Sequence, residues 1–177
     1  MITIYCINRK KDVDRKLYME KLLKGFDCEL IFVEACEGAE LTEESKLNLG
    51  YQRKKRENWF KPLHSNEIGC FVSHRKCLDL IIDPAVSNAV VLEDDVILDD
   101  DFCNKIESIN RDVKGWDLVK LETREDQPKG EISGDCDGGQ IFATLSASKG
   151  TIGLLYSKEG AKKIRATMDS FIFPVDN

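Results

Sequence analysis

The chain has 177 residues, a length that fits one domain able to bury roughly 70% of the surface its unfolded form exposes. Hydrophobic residues make up 42% and charged residues 33%, which excludes a disordered or fibrous protein, and a net charge of −6 argues against nonspecific nucleic-acid binding. No apolar run approaches the roughly 18 residues of a membrane span, and the opening apolar residues meet Arg9-Lys10-Lys11 too soon for a secretory signal, whose basic region comes first.

In chain order, Ile2–Ile7 reads as a first strand and Lys11–Leu23 as an amphipathic helix, with Val13, Leu17, Leu22 and Leu23 toward a core and Gly25 ending it. Glu29–Val33 is a second strand. Glu37–Leu63 is polar, with a short helix around Glu43–Leu49, a basic cluster (Arg53 to Arg56) and Trp59-Phe60 in a long loop. Ser65 or Asn66 caps the next helix, whose apolar stripe is Ile68, Phe71, Val72, Leu78, Ile81 and Ile82 and which Pro84 stops. Ala89–Leu92 is a buried strand. Asp99-Asp100-Asp101 places negative charge at the start of a helix through Ile109, where the helix dipole favours it, so this triplet reads as capping and not as a metal site. Trp116–Leu121 is a strand, Pro128–Gln140 a turn-rich hairpin tip, Ile141–Leu145 and Thr151–Tyr156 are strands, and Ser157 caps a last helix through Met168. The alternation predicts an α/β protein with a mixed central sheet, one domain over residues 1–177.

Seven cysteines without a CxxC pair read as reduced thiols of a cytosolic protein, with Cys70 and Cys77, seven apart, on one buried helix face. The most informative passage is Glu93-Asp94-Asp95, three acids at the C-terminal end of the buried strand. Like charges there are costly unless something positive shares the site. Mg²⁺ or Mn²⁺ suits them, because both take carboxylate oxygens and keep positions open for phosphate and water, and ligands of open α/β sheets bind beyond the carboxyl ends of the strands. A solvated acidic turn is the plain alternative. His74 can bind diphosphate, move a proton, or simply bond a neighbouring group. Arg9 and Arg15 suit phosphate, although a solvated basic turn explains them equally.

Asn66-Glu67-Ile68-Gly69-Cys70-Phe71-Val72-Ser73-His74, followed by Val91-Leu92-Glu93-Asp94-Asp95-Val96, closely resembles the pattern of glycosyltransferase family 25, which includes bacterial lipooligosaccharide β-galactosyltransferases and animal collagen galactosyltransferase domains. Ile4–Arg9 with Arg15, Trp116–Leu121, Gly150-Thr151 with Ser157–Lys163, and Phe173-Pro174-Val175-Asp176 are similar to further family segments in the same order. The resemblance implies a GT-A-like, Rossmann-like nucleotide-sugar fold and a metal-dependent inverting transfer of a hexose, galactose above all, from its UDP form to a cell-envelope glycan or lipid-linked glycan. It implies Asp95 and Glu93 as ligands of Mn²⁺ or Mg²⁺, and Asn8, Arg9, Arg15, Glu67, His74, Glu93 and Asp94 as substrate-binding residues. Asp176 and His74 become the catalytic candidates, Asp176 as the base. A cytoplasmic location is expected from the cysteines and the lack of a span, with the inner face of the membrane as the workplace if the acceptor is lipid-linked and any membrane contact peripheral or through a partner. Two departures stand out: no His or aromatic residue follows Gly150-Thr151, and the chain ends at Asn177, where family members continue. A nucleotide-sugar-binding pseudoenzyme is therefore the second reading. A receiver-like phosphotransfer domain is disfavoured, since no Asp-x-Asp-x-Thr nucleophile is present.

Overall fold

The computed structural model describes residues 1–53, 61–122, 130–144 and 149–175. Expectations for residues 54–56, Trp59-Phe60, Pro128, Leu145 and Asp176 lie outside the described residues. The elements in order are β1 (Ile2–Asn8), α1 (Val13–Leu22), β2 (Cys28–Glu34), α2 (Glu43–Asn48), α3 (Ser65–Ile81), β3 (Asn88–Glu93), α4 (Phe102–Asp112), β4 (Leu118–Lys120), β5 (Glu131–Cys136), β6 (Gly139–Ala143), β7 (Gly153–Ser157) and α5 (Lys158–Arg165). Five strands form one sheet in the order β2-β1-β3-β7-β4, and β5 pairs with β6 in a separate hairpin. β1 runs parallel to β2 and β3, whereas β7 runs antiparallel to both β3 and β4, so the sheet is mixed as the sequence predicts.

The central strand is apolar on both faces because helices cover both. Ala89, Val90, Val91 and Leu92 are all 0% exposed, and each fully buried Val or Leu side chain contributes about 1.5–3 kcal/mol. Successive side chains alternate across the pleat. Val91 joins Tyr5, Ile7, Leu154 and Tyr156 under α3 and α5, and Val90 and Leu92 join Ile4, Cys6 and Leu155 under α1 and α4. This alternation continues past the end of β3 and sets the site.

The expected inward stripe of α1 holds at Leu22 and Leu23 and is corrected at Val13 and Leu17. Val13 and Leu17 are each 56% exposed, and Met19 and Leu23 are the buried pair. Four residues apart, Met19 and Leu23 share a helix face, and Lys16 of the neighbouring turn lies over the Phe32 ring at 4.9 Å. The cap of α3 is His64 and not Ser65 or Asn66: its Nδ1 accepts from Asn66 N–H, and Glu67 Oε2 accepts from His64 N–H at 2.6 Å, closing a capping box. Ser157 caps α5 as expected.

Two further differences follow from short-range chemistry. The strand expected over Trp116–Leu121 runs over Leu118–Lys120, with bonds to β7 reaching one residue further at each end, Ser157 N–H to Asp117 O at 3.1 Å and Leu121 N–H to Gly153 O at 3.0 Å, while Trp116 lies outside it with its indole N–H on Val113 O at 3.1 Å. Asp99 and Asp101 do not cap α4 through their side chains; both bridge Lys105 at 3.0 Å. Among the described residues no helix is long and apolar enough to cross a membrane, and none of the seven cysteines forms a disulfide.

Candidate active site

The pleat of β3 divides the acidic triplet. Glu93, in phase with Ala89 and Val91, turns toward α3, and Asp94, in phase with Val90 and Leu92, turns toward α1. Asp95, past the strand end, has a side chain 52% exposed.

On the α3 side, Glu93 Oε1 accepts from Thr151 Oγ1 at 2.7 Å, faces His74 Nε2 at 3.2 Å and accepts from Cys70 Sγ at 3.9 Å. The His74 hydrogen bond is the main reason the Glu93 carboxyl is held below its ordinary value; Thr151 and Cys70 add to it, and burial opposes it. His74 Nε2 meets this carboxylate, and the other ring nitrogen, Nδ1, is buried and without a hydrogen-bond partner among the described residues. His74 is itself only 1% exposed. Its contact with Glu93 fits the reading of a histidine that bonds a neighbouring group, and it bears on neither diphosphate contact nor proton transfer.

One close backbone approach and one serine side chain hold α3 in place. A Cβ on Gly69 would lie 2.4 Å from Cys36 O, so only glycine lets this helix touch the segment after β2. Ser73 Oγ completes the seam, accepting from Cys36 N–H at 2.8 Å and donating to Gly69 O at 2.7 Å. Cys70 and His74, one turn apart on this pinned helix, therefore meet Glu93 with little freedom. Cys77 lies in the core as expected, but Cys70 does not share its setting.

On the α1 side, Asp94 is 7% exposed. It accepts from Asn8 Nδ2 at 2.7 Å and from Arg15 at 2.9 Å. Asn8 also donates to Asp12 O at 3.1 Å, which ties the β1 end to the start of α1, and Arg9 clamps the Asp12 carboxylate at 2.5 Å. The same Arg15 nitrogen lies 3.4 Å from Asp95. The positive partner that three adjacent acids require is thus supplied in part by the protein itself.

Asn8, Arg15, His74, Glu93, Asp94 and Asp95 are brought together. Arg9 is one step removed, engaged with Asp12, and the Glu67 carboxylate is engaged in its helix cap. Thr151 and Cys70 are functional neighbours that residue-by-residue reasoning passed over, although both stand inside the quoted motifs. Asp95 borders a cleft of about 910 Å³ that also takes in Lys120, Glu122, Trp116 and Phe142, a size ordinary for small-molecule sites. A second cavity of about 500 Å³ lies on the α3 and α5 face, between Phe71, Tyr156, Phe171 and Thr151.

A mixed Rossmann-type sheet with its acids at the carboxyl end of the central parallel strand defines a GT-A-like glycosyltransferase fold. The chain belongs to glycosyltransferase family 25: the family profile, described as glycosyltransferase family 25 (LPS biosynthesis protein), matches residues 1–177. Procollagen galactosyltransferase 2 of Homo sapiens is 30% identical over 98% of this chain and 29% of its own length. A glycosyltransferase 25 family member of Anopheles gambiae is 29% identical over 98% and 30% respectively. Inactive glycosyltransferase 25 family member 3 of Mus musculus is 30% identical over 64% of this chain and 20% of its own. The chain spans about 30% of the length of the curated relatives it matches over nearly its whole length.

Proposed function

We propose that this chain carries the nucleotide-sugar site of an inverting glycosyltransferase that moves a hexose, galactose in the first instance, from a UDP-sugar to a cell-envelope glycan such as lipooligosaccharide. The observation that carries the reading is the division of the triplet. Asp94 and Glu93 are consumed by Asn8, Arg15, His74 and Thr151, and Asp95 is left half-exposed at the mouth of a nucleotide-sized cleft. The galactosyltransferase relatives support the choice of sugar.

The donor set fits a hard divalent cation, since the exposed group is a carboxylate and Arg15 leaves it only a long 3.4 Å contact. Asp95 would hold Mn²⁺ or Mg²⁺, Glu93 would join it only by giving up its His74 and Thr151 bonds, and such an ion would neutralise charge on the departing diphosphate. The protein residues do the rest. Arg15 offers a guanidinium to the same phosphates while its other contact, Asp94, keeps it in place. His74 and Thr151 fix the Glu93 carboxylate, so the site need not reorganise as charge develops. Asp176 remains the proposed base for the acceptor hydroxyl.

Calorimetric titration of UDP with and without Mn²⁺ tests the reading. Metal-dependent binding in the wild type that is abolished in Asp95→Asn supports it, and metal-independent or unchanged binding removes its basis. A second reading, a nucleotide-sugar-binding pseudoenzyme, is favoured by the inactive relative, and UDP binding without sugar transfer or hydrolysis would select it.

A further inference from the structure

Cys70, His74 and Glu93 form a cluster whose chemistry differs from that of Asp95. One sulfur, one imidazole nitrogen and one carboxylate oxygen all lie within 4.8 Å of one another. A tetrahedral Zn²⁺ with bonds of about 2.3 Å to sulfur and about 2.0–2.1 Å to nitrogen and oxygen separates nitrogen from oxygen by about 3.4 Å and sulfur from oxygen by about 3.6 Å. The observed separations are 3.2 Å for His74 Nε2 to Glu93 Oε1 and 3.9 Å for Cys70 Sγ to Glu93 Oε1. The first edge is slightly shorter and the second slightly longer than required, while the sulfur–nitrogen edge lies within 4.8 Å, so binding would draw the Cys70 and His74 side chains toward each other.

We propose that Cys70, His74 and Glu93 bind a thiophilic divalent cation of the Zn²⁺ class, with the fourth position open toward Thr151. The binding step balances. Cys70 releases its proton to solvent and becomes a thiolate, His74 carries its proton on Nδ1 and ligates through Nε2, and Glu93 exchanges its hydrogen bonds for the metal. Thiolate and carboxylate together offset the two positive charges of the ion, so the occupied site is neutral, as its half-buried position requires. Sulfur and imidazole favour zinc or cobalt over magnesium and manganese, which sets this site apart from the oxygen-only setting of Asp95. Pre-organisation favours it too: two of the ligands stand four residues apart on α3, whose first turn is closed by a capping box and whose backbone is pinned at Gly69 and Ser73. Occupation would take Glu93 away from Thr151, so zinc and the glycosyltransfer site described above share one carboxylate.

Co²⁺ titration of the whole chain tests the proposal, because a cobalt–thiolate bond gives a charge-transfer band in the near-ultraviolet and a tetrahedral ion absorbs in the visible. The wild type is expected to bind one equivalent with both features and to lose them on addition of Zn²⁺. Cys70→Ser should abolish the charge-transfer band. It should also weaken Zn²⁺ binding at least about 100-fold, since removing even an outer-shell partner costs 10–100-fold. His74→Gln, which leaves every thiol in place, should weaken binding similarly, and Asp95→Asn should leave the cobalt spectrum unchanged. No thiolate band in the wild type overturns the proposal. So does a band that persists in Cys70→Ser, or one that disappears in Asp95→Asn.

Discussion

Neighbouring acids of the same triplet should respond in opposite ways to the same substitution. Asp94→Asn keeps shape and removes the charge from a side chain that is 7% exposed. An asparagine there can accept from Asn8 through its amide oxygen, but its NH₂ group then faces the Arg15 guanidinium, donor against donor. A hydrogen bond to a charged group contributes about 1.5–3 kcal/mol. The Arg15 side chain is 48% exposed, so its share is discounted to about 1 kcal/mol or less. Because the neutral bond to Asn8 is kept, the loss is its charge assistance, about 1 kcal/mol, plus the Arg15 share, about 1–2 kcal/mol in all, which for a chain of this size lowers the melting temperature by roughly 5 °C.

Asp95→Asn removes a carboxylate that is 52% exposed and makes a single 3.4 Å contact with Arg15. Its stability should change by no more than about 0.5 kcal/mol, in the stabilising direction because one repelling charge has gone. Thermal unfolding of both variants, with UDP titration alongside, separates the scaffold acid from the ligand-facing one. Equal destabilisation by the two substitutions, or a neutral Asp94→Asn, would refute the division of the triplet argued from the pleat.

Gly69→Ala should cost about 3 kcal/mol or abolish folding, as its Cβ would sit 2.4 Å from a carbonyl oxygen, and urea unfolding of the variant gives the value. The Glu93 carboxyl is lowered from 4.5 in the folded state, so its contribution is fully present above that value and is lost as pH falls through the folded one. Glu93→Gln should therefore show a flatter fall in unfolding free energy below pH 4.5 than the wild type, and matching slopes would show that Glu93 makes no such contribution. For the proposed base, Asp176→Asn should cut transfer by about 10²-fold or more while UDP affinity stays near normal, and wild-type turnover would remove Asp176 from the reaction.

The parts of the fold readable in the sequence are those with one strong local cause. Ala89 to Leu92 can only be a buried strand, Ser157 can only cap, and the stripe from Ile68 to Ile81 has the helical period. The misread parts are those where two local causes compete. In α1 both Val13/Leu17 and Met19/Leu23 have helical spacing, and only packing against β1 and β2 decides between them. At the start of α3 the sequence places Ser65 and Asn66 beside His64, and the reach of Glu67 back to the His64 N–H selects the histidine. Thr151 was legible as half of a Gly-Thr motif, but its bond to Glu93 spans 58 residues and depends on β7 pairing antiparallel to β3.

The same pairing explains why three acids in a row serve the site without tearing it apart. Glu93 N–H bonds Ile152 O at 3.0 Å, the last rung joining β3 to the approach of β7, and this holds the chain extended for one residue beyond Leu92. Extension sends Glu93 and Asp94 to opposite faces, so each meets its own donors: α3 supplies Cys70 and His74, and the β1–α1 connection supplies Asn8 and Arg15. The strand end therefore does the electrostatic sorting, and it leaves Asp95 as the member whose charge is still directed at whatever enters the cleft.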